Sequence, residues 1–372
     1  MKGINNLLLW IFVFSNLLSC GVTGKSSNQP AASGQTAVSA AKGETIKFKK
    51  FSYVDAQGIG CEAFTMLIPA DWKFEGGLLW RPHPAMPATG DWKVKSPNGI
   101  DELTGFPTLP FSWQPNSIAS QLFPIGSNYL GNEVRPIPVS VSDCIKKIII
   151  PRFRPNIGNY KIISEKSVPQ LTAAMQAENQ PAEIQTIRMR IEYQQNGKPV
   201  EEDIYSGLAI YRFPQFTLWI LDKNFSFKAE KGTLDAKYKI FETMIGSIKI
   251  NIQWFNKYSQ LVETIVKMKL QEIRNIGEIS RIISQTNDEI SEIRRSQYEN
   301  SQASSDRVSK SFSEYMRGTE EYYNPAEGKS VELPSGYNQV WTNNLGEYVL
   351  SNELNYNPNV GSNLHWQEIK KP

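Results

Sequence analysis

Histidine is nearly missing from this sequence, with two residues in 372, His83 and His365, and cysteine occurs only at positions 20, 61 and 144. Catalysis that pairs an imidazole with a nucleophile needs both groups in reach, and metal centres of the zinc type need several imidazoles or thiolates closely spaced. Neither pattern is present, so no metal and no cofactor is expected. Charge of one sign is lacking too: Lys+Arg 40 against Asp+Glu 37 leaves +3, with no long run of either sign. That excludes an electrostatic case for nucleic acid.

Long apolar runs are equally scarce. The best, Leu7–Leu18, is broken by Ser15 and Asn16 and falls short of the roughly 20 residues of a membrane-spanning helix. Phosphate-loop and nucleophile-elbow signatures are missing as well. "GKS" at Gly24–Ser26 has Ser19 where the loop needs glycine, no G-x-S-x-G surrounds Ser335, and Lys329-Ser330 stands alone.

What the amino terminus does contain is "NLLSCG", with leucine three before Cys20, serine before it and glycine after it. This resembles a bacterial lipobox, which implies that residues 1–20 are a lipoprotein signal peptide and that Cys20 becomes the acylated new terminus; the alternative reading is a plain signal peptide. Each buried methylene of an acyl chain contributes roughly 0.8 kcal/mol, so the chains hold a protein at a membrane without a span. Gly21 in place of aspartate fits outer-membrane sorting in a cell with two membranes. Residues 21–43, "GVTGKSSNQPAASGQTAVSAAKG", are small and polar and read as a flexible tether.

From 44 to 252 the signals mix strand and helix. "IKFKKFSY" and "EAFTMLIPADW" read as strands, the second ended by Pro69 and Asp71. The stretch to about Pro138 is dense in proline, glycine and tryptophan, which argues for an irregular insertion without central strands. In "TIRMRIEY", Ile187, Met189, Ile191 and Tyr193 alternate with Arg188, Arg190 and Glu192, the period of a strand. Asn196-Gly197 supplies a tight turn to a second strand near Asp203–Tyr211, and Phe216–Asp222 reads as a third. A helix follows from a Thr233 cap through Ile248.

"FTMLIPADWK", this meander and the closing helix together resemble the Mog1/PsbP-like fold. "WFNKY", "FSEYMRG" and "ELPSGYNQVWTNNLGEY" are similar to segments of uncharacterised bacterial secreted proteins. The resemblance implies an α+β fold, an antiparallel sheet with packed helices, and a non-catalytic binding or assembly role.

Between Pro214 and Pro325 there is no proline. Residues 253–318 therefore read as a long helix or helical hairpin, about 90 Å for 256–316 if continuous. Ile276, Ile279, Ile283, Ile290 and Ile293, with Thr286, keep 3,4 spacing and form a candidate helix interface, for intramolecular packing or for a partner. Residues 319–372 read as a β-hairpin extension turning at Asn343–Gly346, with Tyr337, Trp341, Tyr348 and Trp366 as anchors.

Four further sets carry possible chemistry. Cys61 and Cys144 can form a disulfide or remain buried thiols. Trp80, Trp92 and Trp113, with Trp72, can form a platform for sugar rings or pin a proline-rich core. His83 in "RPHP" reads as a loop histidine. Glu201, Glu202 and Asp203 lack the alternating oxygen ligands of a calcium loop and read as a charged turn edge. The expected protein is a non-catalytic cell-envelope lipoprotein, tied to the membrane by its lipid and acting as a binding or scaffold module for an envelope protein. The alternatives are a carbohydrate- or peptidoglycan-binding lipoprotein, which takes a glycan on the tryptophans, and a hydrolase that needs two carboxylates converging in one cleft.

Overall fold

The computed structural model describes residues 45–115, 118–178, 181–214, 216–267, 292–316 and 318–371. Strands β1 (Thr45–Val54) and β2 (Glu62–Pro69) pair first, followed by the hairpin β3 (Lys73–Trp80) and β4 (Ala88–Lys95). Then come β5 (Glu102–Gly105), β6 (Leu109–Trp113), the short helix α1 (Ile118–Leu122), β7 (Asn128–Tyr129) and β8 (Asn132–Val134). Helix α2 spans 141–153, and its turn Ile145–Ile149 is widened to π geometry next to Pro151, which has no N–H to give.

Strand β9 (Lys161–Ser167) and helix α3 (Pro169–Glu178) lead into the meander β10 (Glu183–Gln195), β11 (Lys198–Arg212) and β12 (Thr217–Glu230). Helix α4 (Leu234–Gly246), β13 (Lys249–Ile250), α5 (Ile252–Lys267) and α6 (Glu292–Met316) precede the last strands. These are β14 (Thr319–Asn324), β15 (Lys329–Pro334), β16 (Gln339–Asn343), β17 (Tyr348–Ser351) and β18 (Trp366–Glu368).

Two sheets organise the chain. The first runs β13-β2-β1-β17-β16-β18, so the carboxyl-terminal strands complete the sheet that β1 begins. The second runs β3-β4-β5-β12-β11-β10-β9, with β6, β7 and β8 branching from β12. Asn196 and Gly197 take positive φ, 52° and 76°, in the two-residue turn between β10 and β11. Lys223, also at φ 52°, kinks β12 where its register with β11 slips. Before the kink Trp219 and Leu221 join the core beneath α2, and after it Phe225, Phe227 and Ala229 join the core on the other face. The partner of β12 changes at the same place, from β6 to β5.

The largest core lies between the two sheets, where Met66 and Ile68 of β2 join Tyr205 and Phe227 with Leu171 of α3, Phe241 of α4 and Leu261 of α5. The opposite face of the first sheet, with Phe48, Leu67 and Leu350, is covered by Tyr322 and Leu333 of the β14–β15 hairpin. Helix α6 packs on α3, α4 and α5. It also covers the free edge of β13, where the Ile250 N–H donates to Gln302 Oε1 at 2.9 Å and Tyr298 donates to the Ile250 carbonyl at 2.8 Å.

The expected α+β, Mog1/PsbP-like fold with a long helical segment is therefore overturned: the described structure is mostly β, with 44% strand against 23% helix, in large curled sheets. Two features account for it. The proline-rich stretch forms strands, β5 holding an interior place between β4 and β12, and Pro110 sits within β6, where it faces Ile220. The meander strands are also long, at 13, 15 and 14 residues. The Thr233 cap also differs, since its hydroxyl donates to the Glu230 carbonyl and caps no helical N–H. No helix among the described residues is long and apolar enough to cross a membrane.

Candidate functional site

The carboxylates of Glu202 and Asp203 leave β11 toward opposite faces, and both side chains are fully buried. On the α2 side, Arg154 donates to Glu202 at 2.9 Å, to Glu102 at 3.0 Å, and to the hydroxyls of Thr104 and Ser226. Tyr193 donates to the second oxygen of Glu202 at 2.8 Å, and Lys228 lies 3.4 Å from Glu102. Burial pushes the Glu102 carboxyl up, but Lys228 and Arg154 outweigh it and hold the group below the usual carboxylate range. On the α4 side, Arg190 grips Asp203 with two nitrogens at 2.8 and 2.7 Å, and Tyr238 donates to the same carboxylate. The expected charged turn edge is corrected: two of its three acids are internal and neutralised by arginine. Glu102 and Glu202 do converge, and the one guanidinium of Arg154 is hydrogen-bonded to both.

The other sequence candidates disperse. His83 is buried, its Nδ1 accepting from the Ala85 and Met86 N–H groups while Nε2 faces Asn132, and burial lowers its pKa to about 4. Trp80 and Trp92 share one face of the β3–β4 hairpin, where Trp80 donates to Asp55 and Trp92 stacks on Phe74. Trp113 continues the Phe111 face of β6, which belongs to the α2-side core. The three rings therefore do not assemble into a platform. Cys61 and Cys144 are not joined in a disulfide: Cys61 packs against the core between the sheets and Cys144 lies in the core on the α2 side. Cys20, the tether, Ile276, Ile279, Ile283 and Ile290 lie outside the described residues, as does the side chain of Ile293.

What the fold does assemble is a cleft of about 620 Å³ where the β14–β15 hairpin, α6 and the β13–β2 edge meet. Its walls carry both charges. Lys249 and Asp306 line the α6 side, Glu321 and Glu332 face each other across the hairpin, and Lys329 and Lys50 stand toward the hairpin tip. Lys50 reaches Glu327 at 3.5 Å, and Tyr298 and Tyr348 add two aromatic side chains. Ser247, at the end of α4, accepts the Leu67 N–H at 2.8 Å and so fixes the floor.

Glu242 lies behind this cleft on α4. It is 4% exposed, and neither carboxylate oxygen has a hydrogen-bond partner of normal geometry. Burial and the neighbouring Glu332 push its pKa up to about 8, against a partial pull from the Gly318 N–H. Gly318 lets the backbone approach closely: a Cβ there would stand 2.5 Å from Glu242 Oε2 and 3.1 Å from the Lys239 Cα, so a larger residue would make the Glu242 side chain move. No signal in the sequence pointed to Glu242, since a glutamate on a helix of ordinary amphipathic spacing reads as a surface residue. Among the described residues no three His, Cys, Asp or Glu side chains are placed to hold a metal ion. Comparison of the chain with models of known protein families and with curated proteins finds no match.

Proposed function

We propose that the chain is a lipid-anchored binding module of the bacterial cell envelope, and that it takes a charged peptide segment of a partner protein into the cleft beside the β14–β15 hairpin. The observation that carries this reading is the cleft itself, about 620 Å³, with lysines and carboxylates on facing walls. That volume is in the range of ligand sites, roughly 300–1,000 Å³. A peptide segment suits the walls because it offers amide donors and acceptors along its length and side chains of either sign. The role is binding without chemistry: the carboxylates that converge elsewhere are saturated by Arg154, and their task is to hold the sheet together. Anchoring rests on the resemblance of the Cys20 region to a lipobox.

Amine crosslinking in intact cells, followed by mass spectrometry, tests the binding claim, because Lys249 and Lys329 are exposed and line the cleft. The expected result is one partner peptide joined to Lys249 or Lys329, lost in a Glu321→Lys variant that folds normally. Crosslinks spread evenly over distant lysines such as Lys161 and Lys198 would sink the cleft as the binding site. Anchoring is tested separately, by detergent-phase partition of the wild type and of Cys20→Ala. Equal partition of the two would sink the anchor.

A further inference from the structure

The first described residue of the fold is tied to one loop. Thr45, paired with Ser351 at one end of the first sheet, shares a hydrogen bond of 2.8 Å with the Ser351 hydroxyl and donates to Glu353 at 3.1 Å. Residues 352–365, which join β17 to β18, start at that point. Wherever the amino-terminal segment leads, it leaves the fold beside this loop.

The loop itself is held rigidly and presents apolar side chains outward. Asn359 clamps its base, accepting the Trp366 N–H at 2.7 Å and donating to the Trp366 carbonyl at 3.0 Å. Turns at Glu353–Tyr356 and Asn357–Val360 pin the backbone between. On this frame Leu354 is 84% exposed and Val360 79% exposed. The polar residues between them are neutral: five asparagines fall in 352–364, and Glu353 is the single charged residue there. A neutral loop with outward aliphatics enters a headgroup layer at little desolvation cost, whereas a charged one does not. Leu122, Ile125 and Val139 are also exposed, but they follow β6 on the second sheet and have no link to Thr45.

We propose that loop 352–365 is the face this protein lays on the lipid surface, with Leu354 and Val360 inserting at the boundary between headgroups and acyl chains. The inference rests on the anchor reading, because the tether from Cys20 places its acyl chains in the leaflet beside the loop. A linker of 23 small and polar residues, the length and composition of 21–43, would have a root-mean-square span of roughly 25–30 Å, short enough to keep the loop near the bilayer. Contact at this face leaves the cleft walls to other ligands.

Hydrogen exchange on the full lipidated chain tests it, in vesicles of phosphatidylethanolamine and phosphatidylglycerol, against the Cys20→Ala protein in buffer. The expected result is flotation with the vesicles and slowed exchange confined to 352–365. In a Leu354→Ser/Val360→Ser variant, flotation should persist through the acyl chains while the protection is lost. Flotation with unchanged exchange in 352–365 overturns the loop contact and leaves the anchor standing. Failure of the wild-type chain to float overturns both. The two substitutions are at exposed positions, so the fold is not at stake.

Discussion

Glu202 and Asp203 are neighbours in the chain whose carboxylates are buried on opposite faces of one sheet, the first held by Arg154 at 2.9 Å and the second by Arg190 at 2.8 Å. The pair locks the register of β11 from both sides. A slip of one residue would leave each carboxylate facing the wrong arginine.

Removing a shared cation should therefore be costly. Arg154→Met leaves Glu102 and Glu202 buried with only Lys228 nearby, and the expected loss is about 3–5 kcal/mol of folding stability, read from urea unfolding. A loss near zero would mean that the network contributes nothing to the fold.

Asp55 is 1% exposed and accepts from the indole N–H groups of Trp80 and Trp254 at 2.9 and 2.8 Å, and from the Gly58 and Ile59 backbone. Asp55→Ala strands these donors and should cost about 2–4 kcal/mol, with a red shift in tryptophan emission as the two indoles loosen. Unchanged emission together with unchanged stability would contradict the clamp.

Two buried groups give opposite pH slopes. Glu242 has its folded pKa raised to about 8 from 4.5, so it is protonated in the fold and ionised in the unfolded chain between those values. Stability from this group is full below pH 4.5, falls as pH rises to about 8 and is level beyond, a swing of up to ~5 kcal/mol. His83 has its folded pKa lowered to about 4 from 6.5, so its contribution is full above pH 6.5 and falls as pH drops toward 4. Urea unfolding from pH 5 to 9 should show Glu242→Gln more stable than wild type above neutrality and flatter between pH 6.5 and 8. Parallel curves for the two proteins would refute the role given to Glu242.

The two described thiols should alkylate without reductant once the chain is unfolded. In the native protein Cys61, half-buried, should react first, while burial, with Asp143 adding to it, pushes Cys144 up to about 12 and keeps it silent. A mass two units lower that is restored by reductant would instead reveal a disulfide.

Local signals were legible in the sequence wherever a turn or an alternation is self-contained. The Asn196-Gly197 hairpin, the Asn343–Gly346 turn and the helix after Thr233 all stand where their residues indicate, because positive φ and side-chain period are properties of a few adjacent residues. Proline density is a poor guide here because strand formation depends on the partner strands: β5 carries no proline, and Pro110 is accommodated within β6. Charge misled as well. The Arg188–Arg190 and Glu202–Asp203 stretches look solvent-facing, but Tyr238 of α4 and Arg154, just past the end of α2, arrive from 35 and 48 residues away to bury them.

By itself the sequence determined the lipobox-like start, the poverty in histidine and cysteine, and the local strand and turn grammar. Tertiary structure alone decided the fold class, by setting β17 beside β1 and turning β12 at Lys223 so that one strand serves two cores. It also decided the cleft, whose walls come from β1, β2, α6, the β14–β15 hairpin and the β16–β17 turn. The physical reason is common to both. Burial and pairing energies depend on which surfaces meet, and residues hundreds of positions apart carry no mark in their local pattern of the partner they will find.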